Sequence, residues 1–296
     1  MPNIRPNYDL DTRGVSPNRV GAGKEIVRNT PRRAVVAGAA GGALAGLLLL
    51  FLIVPVAGVV GVDGAAGARL LVTDAELRDA IARTAVTATT ATLVAALTGI
   101  PLAWLLAHRA FRGRHVVELL LDLPLVLPHP VAGIALLLAF GRTSAVGARL
   151  AEAGLQVVGT PVGTVCAMLF VSAPLFVSAA RESFARIDPS LELVARTLGE
   201  DAWGAFRRVT LPLARRGLLA GAVVTWARAV SEFGAVVVLA YNPKVVSVLS
   251  YERLTGFGLR EALPVAAALL LVSLVPLAAL RALRTPRRGW DAVAIR

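Results

Sequence analysis

Arg228 and Glu232 stand four residues apart within GAVVTWARAVSEFGAVVVLAYNPK, a stretch otherwise almost free of charge. On one helix that spacing puts both on the same face, where they can pair. A lone charge inside a bilayer costs about 2.5–3.5 kcal/mol on insertion scales, so a pair or a water-filled cavity has to offset it. A guanidinium fork also matches the oxygens of a tetrahedral dianion. The pair therefore reads as a contact on a translocation path or gate, or as an ion pair that fixes helix packing. Pro128-His129-Pro130 interrupts a second apolar stretch, LPLVLPHPVAGIALLLAFG. Prolines there free carbonyls that need protein or water partners. That suits a substrate path, or a kink with His129 bonded to a neighbouring helix. Glu118 and Asp122 share a face just upstream and look like paired acids for proton transfer, although carboxylates also favour a helix N-terminus.

Other chemistries are excluded. The single cysteine, Cys166, rules out an internal disulfide framework, and His108, His115 and His129 lack the Cys or carboxylate neighbours of a zinc site. A P-loop needs Gly, four residues, then Gly-Lys-Ser/Thr. Here Gly23-Lys24 is followed by Glu25, and Asn18 stands where the first glycine belongs. No cofactor is expected on this chain.

The elements that carry these residues are membrane spans. The chain has 296 residues, 56% hydrophobic and 17% charged, with mean hydropathy +0.69, against about 25% charged in ordinary soluble domains. A spanning helix needs about 20 mostly apolar residues. Six segments qualify, near 34–60, 84–107, 116–140, 161–180, 217–240 and 262–280, the third broken at its prolines. Arg32-Arg33 precedes the first, but that apolar block far exceeds the 7–15 residues of a signal core, so the span is expected to be retained. Thr84, Thr87, Thr89, Thr90, Thr92 and Thr98 in the second span, among small alanines, suit close helix packing. With the N-terminus inside, the inner segments hold 22 Lys and Arg and the outer loops 8. That bias predicts both termini in the cytoplasm. The net charge of +12 then reads as topology and contact with anionic lipid, not as a nucleic-acid footprint, since no basic patch is interleaved with aromatics. The outer stretch 241–261 carries Lys244, Tyr251, Arg253 and Arg260, which suits a partner contact, an outer gate or exposed loop charge.

One inner connection is patterned: RESFARIDPSLELVARTLGEDAWGAFRRVTLPLARRG, from Arg181 to Gly217. Asp188-Pro189 makes a helix start. Leu191, Val194, Ala195 and Leu198 follow as one stripe, and Gly199 stands where a left-handed cap is wanted. Glu200 and Asp201 suit a second short helix carrying Trp203, Phe206 and Val209, ended by Leu211-Pro212. Such a helix either lies on the bilayer or docks into a groove on a cytoplasmic partner.

This stretch resembles the EAA signature of ABC-importer permeases: Glu-Ala-Ala, three residues, Gly, nine residues, then Ile-x-Leu-Pro. Gly199, nine residues, then Val209-Thr210-Leu211-Pro212 match the tail, and Ala195 the second alanine; Leu193 and Val194 replace the preceding pair, with Glu192 one position early. The resemblance spans about 81–284. Ala227-Arg228-Ala229, then Glu232-Phe233-Gly234, together with the Pro128-His129 stretch, are similar to permeases for molybdate and tungstate; sulfate and thiosulfate permeases share much of it. The resemblance implies an all-α polytopic membrane protein of about six spans with the type I importer fold, acting as a homodimer. It further implies two cytoplasmic ABC ATPase subunits, which bind ATP and Mg, and an external oxyanion-binding protein. In that scheme Leu191, Glu192, Ala195, Leu198, Gly199, Trp203, Phe206, Leu211 and Pro212 couple to the ATPase, and Arg228, Glu232, Pro128 and His129 line the path or gate. The expected divisions are a flexible basic tail (1–33), the first span and outer loop (34–80), the permease core (81–284, with coupling loop 181–216) and a second tail (285–296). The competing readings are a sulfate or thiosulfate permease, a stand-alone channel, and a membrane-embedded enzyme using Glu118, Asp122 or His129.

Overall fold

A computed structural model describes residues 32–284. The expected tails lie outside the described residues, apart from Arg32 and Arg33. Every regular element among the described residues is a helix: α1 (Arg32–Thr73), α2 (Ala75–His108), α3 (Arg114–Val126), α4 (His129–Phe140), α5 (Ala145–Glu152), α6 (Pro161–Ala185), α7 (Ser190–Thr197), α8 (Ala202–Ala205), a π turn (Phe206–Thr210), α9 (Leu211–Val230), α10 (Gly234–Leu239), α11 (Val246–Phe257) and α12 (Leu259–Arg284). The chain divides into two compact units, Met1–Pro55 and Val56–Arg296. The first unit contains the apolar start of α1.

All six apolar segments are helical. Three helices are long and apolar enough to cross a membrane whole, over Gly41–Thr73, Ala75–His108 and Pro161–Ala185; α4 and α5, bent by 62°, give a fourth if they form one span. The third expected span breaks between α3 and α4, as its prolines predict. The fifth breaks between α9 and α10, and α9 carries Arg215, Arg216 and Arg228. The outer loop expected over 61–83 is helix instead. It is interrupted by non-helical backbone at Asp63 and by one residue, Asp74, whose side chain caps α2 through the Leu77 N–H at 3.0 Å. Polar residues lower hydropathy without breaking a helix, and the run GAAGARLL contains no proline.

The core of this unit is α2, α6 and α9 laid side by side. Ala95, Ala103 and Leu106 of α2 pack on Phe176, Val177, Ala180 and Phe184 of α6 and Ala214 and Leu218 of α9. Small residues let the backbones approach: a Cβ on Gly99 would stand 2.9 Å from the Phe176 ring, and one on Gly221 2.9 Å from Ala179 Cβ. A second cluster joins α2, α4, α6, α9 and α10 around Met168 and Val236, and a third joins α2, α11 and α12 around Leu77 and Leu249. The threonines of α2 return their hydroxyls to carbonyls one turn back, Thr84 and Thr92 at 2.7 and 2.8 Å. Thr89 is different: it accepts from Trp226 Nε1 of α9 at 3.0 Å.

Candidate functional site

Two breaks in apolar helices meet. At the first, the Leu127 N–H closes α3 onto Leu123 and α4 restarts at His129, with Pro130 in its first turn, where a missing N–H costs nothing. At the second, the last N–H groups of α9 shorten their reach, Glu232 N–H bonding the Ala229 carbonyl at 3.1 Å, and α10 restarts at Gly234. The two restarted helices, α4 and α10, pack together. Gly234 permits it, because a Cβ there would lie 2.6 Å from His129 Cβ and 3.1 Å from Pro130 N.

Glu232 holds the second break together. Its Oε1 accepts from the Ala235 N–H at 2.8 Å, its Oε2 from Arg228 Nη2 at 2.8 Å, and its backbone carbonyl from Ser247 Oγ at 2.7 Å. Only 1% of the residue is exposed. A buried carboxylate is tolerable when paired and hydrogen-bonded in this way. The same Arg228 Nη2 also donates to His129 Nε2. A guanidinium has no acceptor, so the imidazole nitrogen accepts and the ring proton lies on Nδ1. Arg228 keeps 22% of its side chain exposed, and Pro128 and His129 are exposed as well. Of the residues singled out from two distant stretches, His129, Arg228 and Glu232 thus form one half-open cluster, and Pro128 precedes His129 as the cap of α4. Ser247 and the Ala235 N–H had no sequence signal: one is an ordinary serine fifteen residues on, the other a backbone group.

The acids that suggested proton transfer are not assembled with it. Glu118 Oε1 accepts from Arg114 Nε at 3.1 Å and from Arg181 Nη1 at 3.0 Å, tying α3 to α6. Asp122 is exposed, and His129 is engaged by Arg228. No group of three metal-ligating side chains occurs among the described residues.

The patterned segment after α6 folds as α7, α8 and the π turn. Asp188 Oδ1 accepts from the Ser190 N–H at 2.9 Å, and that bond, with the Ser190 hydroxyl, holds its carboxyl below the usual carboxylate range. Gly199, at φ +101°, ends α7 with two bonds: its N–H to Arg196 O and the Glu200 N–H to Ala195 O, both 3.1 Å. That is the Schellman arrangement, which needs a left-handed residue. Asp201 caps α8 through the Gly204 N–H at 2.7 Å. Glu192 is bonded by the Thr210 hydroxyl, which fastens α7 to the π turn, and Arg208 pairs with Glu200.

Leu211-Pro212 does not end this segment. The chain passes from α8 through the π turn into α9, the Leu211 N–H reaching back to Phe206 O. A proline ring collides with the carbonyl four residues before it in an α-helix, and the wider turn makes room for Pro212. Phe206 stacks on Trp203 with centroids 5.6 Å apart and lies 6.1 Å from both Trp104 of α2 and Phe184 of α6. Of the α7 stripe only Ala195 is buried. Leu191 and Val194 are exposed, and Leu198 is exposed by 81%. The stripe is not seated on this chain's own core.

The segment 241–261 is not a loop of free charge. Most of it is α11, and two of its three cations are paired: Arg253 with Asp74 at 2.6 Å, Lys244 with Glu252 at 2.7 Å and with Glu76 at 3.2 Å. Tyr251 lies on Phe233, with centroids 4.8 Å apart.

Broken apolar helices around an arginine, with an apolar knob at one end, fit a helical membrane permease. Residues 99–285 match the model of the binding-protein-dependent transport system inner membrane component, and the chain belongs to that family. It is 42% identical over 196 residues to the molybdate/tungstate transport system permease protein of Thermococcus kodakarensis, covering 66% of this chain and 74% of the relative. It is 32% identical over 219 residues to the sulfate transport system permease protein of Escherichia coli, covering 73% and 79%. A crystal structure of a bacterial alginate ABC transporter, in complex with an alginate pentasaccharide-bound periplasmic protein, matches with TM-score 0.66 and 20% identity, over 86% of this chain and 97% of that one. The fold is that of ABC importer permeases.

Proposed function

We propose that this chain is the membrane-spanning subunit of an ATP-driven importer that carries molybdate or tungstate. The observation that carries the substrate is the 42% identity to a permease named for those two anions, against 32% to one named for sulfate. The geometry agrees with an oxyanion path, because a guanidinium with 22% of its side chain exposed sits between two broken helices. Arg228, His129, Pro128 and Glu232 form the contact on that path. Two copies of the chain enclose the cavity, an external binding protein delivers the anion, and both termini lie in the cytoplasm.

The exposed Leu191, Val194, Leu198 and Trp203 dock into a groove on a cytoplasmic ATPase subunit, which supplies ATP and Mg. Glu192, Ala195, Gly199, Phe206, Leu211 and Pro212 hold that surface in shape. ATP binding draws the two ATPases together, and the docked helices carry the movement into the spans. Any such coupling requires that the partner binds the two states unequally. An apolar knob of this kind matches helix-in-groove recognition.

The test is uptake into vesicles holding the permease with its ATPase and binding proteins. Molybdate should accumulate only with ATP, and tungstate should compete about tenfold or more better than sulfate, a difference of about 1.4 kcal/mol. The reverse order of competition would assign the subunit to sulfate. Arg228→Ala should lower uptake about tenfold or more, the scale of one lost charge-assisted contact. Undiminished uptake would remove the cluster from the path.

A further inference from the structure

We propose that Glu232 is a fixed counter-ion that keeps the oxyanion's hold on Arg228 weak, and that His129 occupies the anion's place on the guanidinium until the anion arrives. The proposal rests on the reading of Arg228 as a path contact. The two acceptors on Arg228 Nη2 are unequal. Glu232 is 1% exposed and its other oxygen is pinned by the Ala235 N–H at 2.8 Å, so the carboxylate stays where it is. His129 is exposed and held to the cluster through its ring nitrogen. It is a neutral acceptor, whereas a dianion makes the stronger charge-assisted bond. An anion approaching from the open side therefore displaces the imidazole and not the carboxylate.

The electrostatic consequence follows from the position of the two charges. An arginine alone in an apolar surround would bind a dianion tightly and release it slowly, since attraction grows as the dielectric falls. With Glu232 at 2.8 Å, the incoming anion meets a pair of zero net charge and still finds directed N–H donors. Recognition is kept while affinity is held down, as a path requires and a storage site does not. Ser247, bonding the Glu232 carbonyl at 2.7 Å, and the Ala235 N–H make Glu232 a positioning residue for Arg228 as well.

The test uses the assembled importer in lipid nanodiscs, without binding protein or nucleotide, and radiolabelled molybdate measured by equilibrium dialysis beside vesicle uptake. Glu232→Gln keeps the shape and an acceptor for the Ala235 N–H but removes the charge. Molybdate should bind it at least tenfold more tightly than the native importer, while uptake at saturating molybdate falls at least fivefold. A merely structural role lowers both. Should Glu232→Gln fail to assemble, His129→Ala decides, because it frees a hydrogen on Nη2 at an exposed position. Retained molybdate should then rise at least threefold, and no rise overturns the proposal. Normal uptake by Arg228→Ala would sink the path reading itself. Blocked uptake there, with native binding and uptake in Glu232→Gln, would sink only the counter-ion proposal.

Discussion

Leu198→Asp should leave a folded, membrane-inserted subunit whose importer hydrolyses ATP without moving substrate. Leu198 is exposed by 81%, so replacing it removes almost no packing within the chain. A new carboxylate at the end of α7 opposes the helix dipole by about 0.3–1 kcal/mol, too little to unfold a segment fastened by the Glu192–Thr210 bond and the Gly199 cap. Truncating a central apolar anchor of an interface costs about 2 kcal/mol or more, or about thirtyfold in affinity. A buried charge at the partner's groove adds to that. Uptake per ATP hydrolysed, measured in vesicles, should therefore fall at least about tenfold, while Leu198→Met should stay near native. Coupled uptake unchanged by Leu198→Asp would show that this face meets no partner.

Gly234→Val should disrupt the cluster where Gly256→Val does not. A Cβ at Gly234 would come 2.6 Å from His129 Cβ and 3.1 Å from the Pro130 backbone, whereas nothing lies within 4 Å of the same atom at Gly256. Neither neighbour at Gly234 is a flexible tip: both belong to the first turn of α4, so the helix itself has to move. Overpacking of that kind costs about 1–3 kcal/mol. The contact between His129 and Arg228 is lost with it, so uptake should drop steeply and the thermal midpoint should fall. Gly256→Val, in an exposed turn of α11, should change neither. Equal behaviour of the two variants would mean that α4 and α10 do not need their close approach.

The caps and breaks were legible because they have local causes. Asp188, Gly199 and Asp201 bond backbone within three residues, and the prolines at 128 and 130 remove donors wherever they stand. The meeting of Pro128-His129 with Arg228-Glu232 was legible only as two unusual stretches, since the contact joins positions 99 apart in sequence. Three features misled. The polarity of 61–83 looked like a loop, although nothing in it stops a helix. The cations of 241–261 left a partner contact, an outer gate and exposed loop charge equally open, although Asp74, Glu76 and Glu252 pair with Lys244 and Arg253. Pro212 looked like a terminator, because the widened turn that admits it has no signature of its own.

That widened turn has a mechanical consequence. From Ala202 through the π turn to Val230 the backbone is helical throughout, about 40 Å at 1.5 Å per residue. One end carries Trp203 beside the exposed knob, and the other delivers Arg228 to the break. If the exposed knob docks as proposed, a shove at that end travels toward the arginine along continuous helix, and the π turn with Pro212 is the place on that path where it can bend.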